Sequence, residues 1–233
     1  MSKTDSASLS ILAALQLADS FFPSGLFTQS HGLEGYAGAG LAGADQLEPL
    51  LHTYLLHLAA PGDALAARWV VRAVAAGDLA LVAAIDARVE ATKLAQESRR
   101  ASRRCGRHVL LLGADLFESA ALRDYAAQVA AGHAPGHQAV ALALLAAAAG
   151  LDEDTTALVE LHTLAVSLVS AALRLGLIDH VGGQRLLMHA QPVMRAAAAE
   201  GRGLHWRDMG GFAPEIELMQ FRHAHAEMHM FVS

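Results

Sequence analysis

Cysteine, lysine and aromatic residues are scarce in this chain of 233 residues, and each scarcity limits the sites or the core that the chain can form. A single cysteine, Cys105, leaves no partner for an intramolecular disulfide or for a multi-cysteine metal site. Lysine occurs only at positions 3 and 93, and the formal net charge of −6 argues against a general nucleic-acid binder. Aromatic residues make up 5% of the chain, so we expect a core of Leu, Ala and Val.

Several motifs of enzymes and membrane proteins are missing as well. The sequence has no Gly-x-x-x-x-Gly-Lys-Ser/Thr loop, which excludes a P-loop nucleotide hydrolase, and neither Gly-x-Ser-x-Gly nor His-Glu-x-x-His occurs. No uninterrupted run reaches the roughly 18 apolar residues of a membrane span, and an acidic residue precedes the first apolar segment. We therefore expect a cytoplasmic protein that is neither an enzyme nor membrane-bound.

What the chain does contain is apolar residues at helical spacing, since 54% of its residues are hydrophobic. This pattern predicts an all-α fold, a single domain of residues 1–233 formed by a bundle of roughly eight to ten helices. The clearest helix is expected to stop before Pro61-Gly62, and Asp63 is expected to begin the next one. Other predicted helix starts are Asp78, Ser119, Asp152 or Asp154, Gly182 (in a helix that Pro192 should bend or stop) and Pro214.

The segment from Leu15 to Leu41 predicts a helix, a turn and a second helix. Pro23 removes a backbone donor and Gly25 can adopt a positive φ, so the chain should turn between them. Ser24 is then placed to cap the second helix, in which Gly32 leaves space for the close approach of another backbone.

A basic ridge is predicted on the helix that follows Leu94. Its predicted apolar face consists of Leu94, Ser98, Ala101, Cys105, His108, Leu112 and Leu116. Its arginines are Arg99, Arg100, Arg103, Arg104 and Arg107. These arginines either form a solvated face, with ion pairs to Asp86, Glu90 and Glu97, or form a partner surface.

Histidines near the end of the chain are the only metal-like group in the sequence. His225 and His229 would share one helix face, and His223 lies nearby, a spacing that suits nickel or zinc. No carboxylate completes that face, so an ordinary interface or tail is the alternative. His133 and His137 occur in a Gly- and Pro-containing loop and are interpreted as polar loop residues rather than ligands.

Three segments, in order, resemble the motifs of the UreF family of urease accessory proteins. The first is Phe22-Pro23-x-Gly25-x-Phe27-x-x-Ser30-x-Gly32-Leu33-Glu34. The second is Glu97-x-Arg99-x-x-Ser102-x-x-x-Gly106, and the third runs from Ala213-Pro214 through Arg222-His223 to Phe231-Val232-Ser233. The Gly183-Gln184-Arg185 segment is also similar to the family pattern. Ala224 stands where the family commonly has Glu, and the terminal residues differ from the usual Leu-Phe-Arg-Ser-like end.

The resemblance implies a non-enzymatic scaffold for urease maturation. Such a protein would form a homodimer, bind UreD (also called UreH) and recruit the GTPase UreG to apo-urease, with nickel as cargo rather than a tightly bound cofactor. The family motif and partner-surface residues it implies are Pro23, Gly25, Ser30, His31, Gly32, Glu34, Glu97, Arg99, Ser102, Arg103, Gly106, Arg107, Gln184, Arg222, His223 and Ser233. Two alternatives are a stand-alone helical nickel- or zinc-binding protein that uses the terminal histidines, and a helical enzyme with residues from distant segments.

Overall fold

A computed structural model describes residues 3–40, 43–223 and 231, and all regular structure in that part of the chain is helical. The α-helices are α1 Lys3–Ala18, α2 Leu33–Gly38, α3 Ala44–Tyr54, α4 Leu65–Ala75, α5 Leu79–Thr92, α6 Gln96–Leu116, α7 Ala120–Ala130, α8 Gln138–Ala148, α9 Glu153–Arg174, α10 His180–Glu200 and α11 Pro214–His223. A π-helix, Leu55–Ala64, joins α3 to α4. Ten of the α-helices have ten or more residues and α2 has six, so the predicted all-α bundle is confirmed.

Short polar side chains begin four of these helices by accepting a hydrogen bond from the first turn. Three of them, Asp78, Ser119 and Asp152, were predicted helix starts, and they accept from the N–H groups of the residues three positions later. Asp179 caps α10 in the same way, through Gly182 N–H at 2.7 Å, so that helix begins earlier than the predicted Gly182.

The core divides into two apolar clusters, which different sets of helices form. In the first, α8 packs between α4 and α6, and residues 138–146 of α8 are all buried. The second gathers α2, α3, the π-helix, α9, α10 and α11, with Ile216 and Met219 of α11 buried. The C-terminal motif helix is therefore part of the core.

The predicted break at Pro61-Gly62 is wrong, because the chain continues through both residues as the π-helix. Pro61 has no N–H group to donate within the helix, and two carbonyl groups of this helix accept from a distant loop instead. The carbonyl oxygen of His57 accepts from Phe212 N–H at 3.0 Å, and that of Pro61 accepts from Gly210 N–H at 3.1 Å. Asp63, the predicted helix start, instead pairs with Lys93 at 2.7 Å. Helix α10 likewise continues through Pro192 to its end at Glu200, so the alternative of a stop there is wrong.

The second helix of the opening segment also differs from its prediction. A 3₁₀ turn, Leu26–Thr28, follows Gly25, and α2 begins only at Leu33. His31 and Gly32 both have positive φ angles, 54° and 88°, which interrupt a right-handed helix.

The buried face of α6 is rotated from the predicted one. Ala101 and Cys105 are buried as expected, but Leu94 and Leu116 are half exposed. Gly106 is buried instead, against the backbone of residues 136–138. A Cβ atom at Gly106 would lie 2.1 Å from the carbonyl oxygen of Gly136. Small residues therefore occupy this face because the backbone of α6 approaches the start of α8 too closely for leucine.

Within the described residues, α9 is the one helix long and apolar enough to cross a bilayer, judged by length and composition. Its most apolar window has a mean hydropathy of 1.6, and 61% of that window is buried in the bundle. This burial is typical of the core helix of a soluble protein.

Candidate functional site at the junction of the sequence motifs

The three motif segments, which are distant in sequence, meet at one place in the structure. Gln220 of α11 donates from Nε2 to the carbonyl oxygen of His31 at 3.4 Å and accepts from Ser98 Oγ of α6 at 3.0 Å. Gln29 of the opening segment donates from Nε2 to Cys105 Sγ of α6 at 3.0 Å. The motifs thus form one junction of the opening segment, α6 and α11, which we call the motif junction.

Glycines in the opening segment allow these close contacts. Gly25 has a φ of 79°, and a Cβ atom there would lie 3.2 Å from Cys105 Sγ. Gly32 has a φ of 88°, and a Cβ atom there would lie 3.2 Å from the backbone nitrogen of Gln220. The predicted turn at Gly25 and the predicted close approach of another backbone at Gly32 are both confirmed.

His31 has the one positive φ of a non-glycine residue in the described part of the chain. The Tyr54 hydroxyl donates to its carbonyl oxygen, and its Nε2 lies 2.9 Å from Ser167 Oγ. Burial lowers the pKa of His31 to about 4, and the positive charge of Lys93 lowers it further in the same direction. The imidazole is therefore neutral at pH 7.

A cavity of about 130 Å³, lined by both polar and apolar residues, lies beside the junction, between the opening segment, the π-helix, α6 and α11. Its lining includes the Asp63–Lys93 ion pair, His31, Gln138 and Glu160. Burial raises the pKa of Glu160 to about 8, with a further contribution from the negative charge of Asp63. The Glu160 carboxyl is thus mostly protonated at pH 7, and it accepts from Gln138 Nε2 at 3.4 Å.

A second buried network holds the loop before α8 against α5, α6 and α7. The Asp86 carboxylate accepts from the Tyr125 hydroxyl at 2.5 Å, from Gly136 N–H at 2.6 Å and from His137 N–H at 3.1 Å. The interpretation of Asp86 as an ion-pair partner of the arginines is wrong, since the residue is fully buried among these donors. The sequence signal that could have revealed its burial is its position, since Asp86 lies at helical spacing from Val82 and Val89 on the apolar side of α5.

His137 is also more than a polar loop residue. Its Nδ1 lies 3.0 Å from Ser102 Oγ and its Nε2 lies 2.7 Å from Glu90 Oε2. Although a serine, a histidine and a carboxylate lie in line, Ser102 Oγ also accepts from Gln138 N–H at 3.3 Å. Burial lowers the pKa of His137, which makes the imidazole a weaker base. These contacts hold the loop before α8 against α5 and α6.

The basic ridge of α6 divides into two groups. Arg99 and Arg103 each lie 3.7 Å from Glu90, and Arg99 also donates to the carbonyl oxygen of Leu94 at 2.8 Å. The second group, which we call the exposed arginine face, is Arg100, Arg104 and Arg107. Among the described residues no hydrogen bond or ion pair is found for these three. Ion pairs within the chain thus account for Arg99 and Arg103, two of the predicted partner-surface residues, whereas a partner surface on this helix stays a prediction.

The remaining predicted residues lie in different places. Ser30 is buried and accepts from Gly32 N–H at 3.3 Å, whereas Glu34 is half-buried and accepts from Phe231 N–H at 3.3 Å. Glu97 lies in the first turn of α6. Exposed residues are Pro23, Gln184 and Arg222, so Gln184 on α10 is not brought to the junction.

The predicted histidine cluster lies mostly beyond what the structure describes. His223 ends α11, whereas His225, His229 and Ser233 lie outside the described residues. Within residues 3–40 and 43–223, no group of three or more His, Cys, Asp or Glu side chains could hold a metal ion.

Comparison with known proteins gives a consistent assignment. The model of the UreF family matches residues 41–191, more than half of the chain. The urease accessory protein UreF of Paenarthrobacter aurescens (strain TC1) is 33% identical over 95% of this chain and 97% of its own length. That of Lachnoclostridium phytofermentans is 32% identical over 96% and 98%, respectively, and that of Trichodesmium erythraeum is 27% identical over 91% and 92%. The chain therefore belongs to the UreF family of urease accessory proteins.

Proposed function

We propose that this chain is a non-enzymatic scaffold needed for nickel insertion into apo-urease, which joins UreD (UreH) and the GTPase UreG on urease. The observation that carries this proposal is family membership over almost the full length of the chain. A scaffold acts through its surfaces, and any effect on GTP hydrolysis would be a coupling free energy between bound partners.

The exposed arginine face is the surface that best suits such a partner. Arg100, Arg104 and Arg107 lie at i, i+4 and i+7 on α6, so they project from one side of the helix. They place three positive charges together on a protein whose formal net charge is −6. An acidic surface on a partner would complement this face and would increase the rate of association at low salt.

Nickel is the implied cargo of the assembled complex, and we propose that the chain holds none tightly by itself. We also propose that it acts in the cytoplasm and as a homodimer. Equilibrium dialysis of nickel against the purified chain separates this proposal from a stand-alone nickel-binding protein. Tight nickel binding by the chain without its partners would contradict the scaffold role.

The direct test of the function is deletion of this gene in the host, followed by assay of urease. We expect urease subunits to accumulate without nickel and without activity, and expression of the chain in trans to restore both. Normal nickel content of urease in the deletion strain would overturn the proposal.

The partner surface is tested with the triple variant Arg100→Ala/Arg104→Ala/Arg107→Ala. Its matched control is Arg123→Ala/Arg195→Ala/Arg207→Ala, which removes the same charge from exposed positions outside α6 and outside the motif segments. Both variants should melt like the wild type, because exposed substitutions usually change stability by less than about 0.5 kcal/mol. Only the first should capture UreD or UreG poorly and lose the salt dependence of capture. Equal behaviour of the two variants would contradict a role for this face.

A further inference from the structure

A buried carboxyl group, that of Glu160, lines the cavity beside the motif junction and has few partners within the chain. Glu160 is 4% exposed, and its Oε2 accepts from Gln138 Nε2 at 3.4 Å. Among the described residues, no hydrogen bond or ion pair is found for its Oε1. An ionised carboxylate can accept about four hydrogen bonds. Glu160 therefore has unused capacity to accept hydrogen bonds from a bound group.

The described lining residues of this cavity carry more negative than positive charge. Asp63, Glu160 and Glu217 are acids, whereas Lys93 is the one lysine or arginine among these residues. Lys93 already pairs with Asp63 at 2.7 Å, and His31 is neutral because its pKa is lowered to about 4. Once Glu160 is ionised, the cavity thus has an excess of negative charge, which favours a cation.

Amide oxygens add further acceptors to the lining. Gln29 uses its Nε2 to donate to Cys105 Sγ, and Gln138 uses its Nε2 to donate to Glu160. Within the described part of the chain, the amide oxygen of neither glutamine accepts a hydrogen bond. A lining rich in acceptors complements a ligand rich in N–H donors, and hydrogen bonds between charged partners are the strongest of this kind.

The size and the position of the cavity suit a small organic group. A single water molecule needs only about 10–15 Å³, so about 130 Å³ accommodates several non-hydrogen atoms. Leu94 is half exposed and the Asp63–Lys93 pair is partly exposed, so the cavity extends from the surface to the buried Glu160. A metal ion fits less well, because the described residues contain no group of three or more His, Cys, Asp or Glu side chains that could hold one.

We propose that this cavity binds a small organic cation with N–H donors, a guanidinium or alkylammonium group, and that the Glu160 carboxylate is its counter-ion. Such a group is present in free solutes and in the arginine and lysine side chains of other proteins. The site goes beyond the proposed scaffold role and does not depend on it. The other titratable groups that line the cavity are His31, Tyr54, Asp63, Lys93 and Glu217.

Binding of a cation at Glu160 should depend on pH. Burial and the negative charge of Asp63 raise the pKa of Glu160 to about 8 in the empty cavity. The cation binds the ionised carboxylate, and the ionised fraction rises about tenfold for each pH unit below this pKa. The apparent Kd should therefore fall about tenfold from pH 6 to pH 7 and become constant above the pKa.

Isothermal titration calorimetry of the full chain with guanidinium chloride tests the site. The wild type should bind a single guanidinium ion and release about one proton near pH 7. Glu160→Gln keeps the shape of the side chain without its charge, so it should bind at least about tenfold more weakly and release no proton. The matched control is Glu118→Gln, at an exposed position outside the cavity, which should bind like the wild type. Tetramethylammonium chloride has the charge without N–H donors and should not bind.

Several results would overturn the proposal: no guanidinium binding near pH 8, equal binding by Glu160→Gln, or equal binding of tetramethylammonium. Once binding is found, capture of UreD or UreG by Glu160→Gln identifies the source of the cation. Weaker capture indicates a basic side chain of the partner, and normal capture indicates a free solute, so both results retain the site. Because the titration uses the chain alone, it can fail while the role in urease maturation stands.

Discussion

The motif junction and helix α1 differ in which residues they bury: polar residues are buried near the junction, whereas large apolar residues are exposed on α1. At the junction and in the adjoining networks, Ser30, Asp86, His137 and Glu160 are buried, and each has a hydrogen-bond partner. On α1, by contrast, large leucine and isoleucine side chains are in contact with solvent. Burial of a polar residue costs little free energy when its hydrogen-bond partner is in place. A contiguous exposed apolar patch, by contrast, is typical of a surface that another molecule covers.

The two regions should therefore respond differently to substitution. The junction is specified by pairs of residues, each of which needs its partner, so single changes there should affect folding. The exposed apolar residues of α1, Leu9, Ile11, Leu12 and Leu15, are in contact with solvent, so single changes there should leave the fold intact. Stability measurements on variants of the two regions test this contrast.

The largest effect is expected from Asp86→Ala. Removal of this carboxylate leaves a hydroxyl group and two backbone N–H groups buried without an acceptor, at about 1–3 kcal/mol for each donor. We expect a loss of ~4 kcal/mol in the free energy of unfolding, measured by urea denaturation. The exposed Asp115→Ala serves as control and should change stability little. A mild effect of Asp86→Ala would show that the polar network does not hold the loop.

Gly106→Ala should follow, with a loss of ~3 kcal/mol. The added methyl group would lie 2.1 Å from the carbonyl oxygen of Gly136, so α6 and the start of α8 must separate. Gly62→Ala is the matched control, because no atom lies within 4 Å of its added Cβ. Thermal unfolding of both variants provides the comparison, and equal melting temperatures would refute the close backbone contact.

Glu160→Gln should stabilise the protein in a pH-dependent way. The folded-state pKa is raised to about 8, above the unfolded value near 4.3, so the folded state retains the proton in this interval and loses stability as the pH rises through it. Glutamine imitates the protonated carboxyl and does not ionise. We expect a gain of ~3 kcal/mol at pH 8 and almost none at pH 4. A wild-type pH profile in the variant would contradict the burial of an ionisable Glu160.

The smallest effect is expected from Glu34→Ala, at ~1 kcal/mol. Glu34 accepts a hydrogen bond from Phe231 N–H, so its loss should weaken the attachment of residue 231 to α2. Measurement of melting temperature and urease activation on the same variant tests its role. A variant that melts like the wild type and activates urease poorly would favour a partner contact for Glu34 over this internal one.

Much of the helical architecture could be predicted because it depends on local chemistry. The Asp78, Ser119 and Asp152 caps, the apolar α8 and the positive φ at Gly25 follow from preferences of short segments. The predicted stop at Pro61 failed because the missing backbone donor is tolerated in a π-helix whose carbonyl groups bind a distant loop. The α6 face was misassigned because Gly106 faces a backbone, and periodicity alone does not distinguish a close contact from a gap.

The helical class, most helix starts and the family follow from the sequence alone, since periodicity, capping and motif order are all local or linear properties. Which residues are buried depends instead on how the helices pack. Packing joins Asp86 to the Gly136–His137 loop, brings Gln220 to His31 across 189 positions and leaves the large apolar residues of α1 exposed. The physical reason is that burial and hydrogen-bond partnership depend on the packing of elements far apart in the chain, which no short segment encodes.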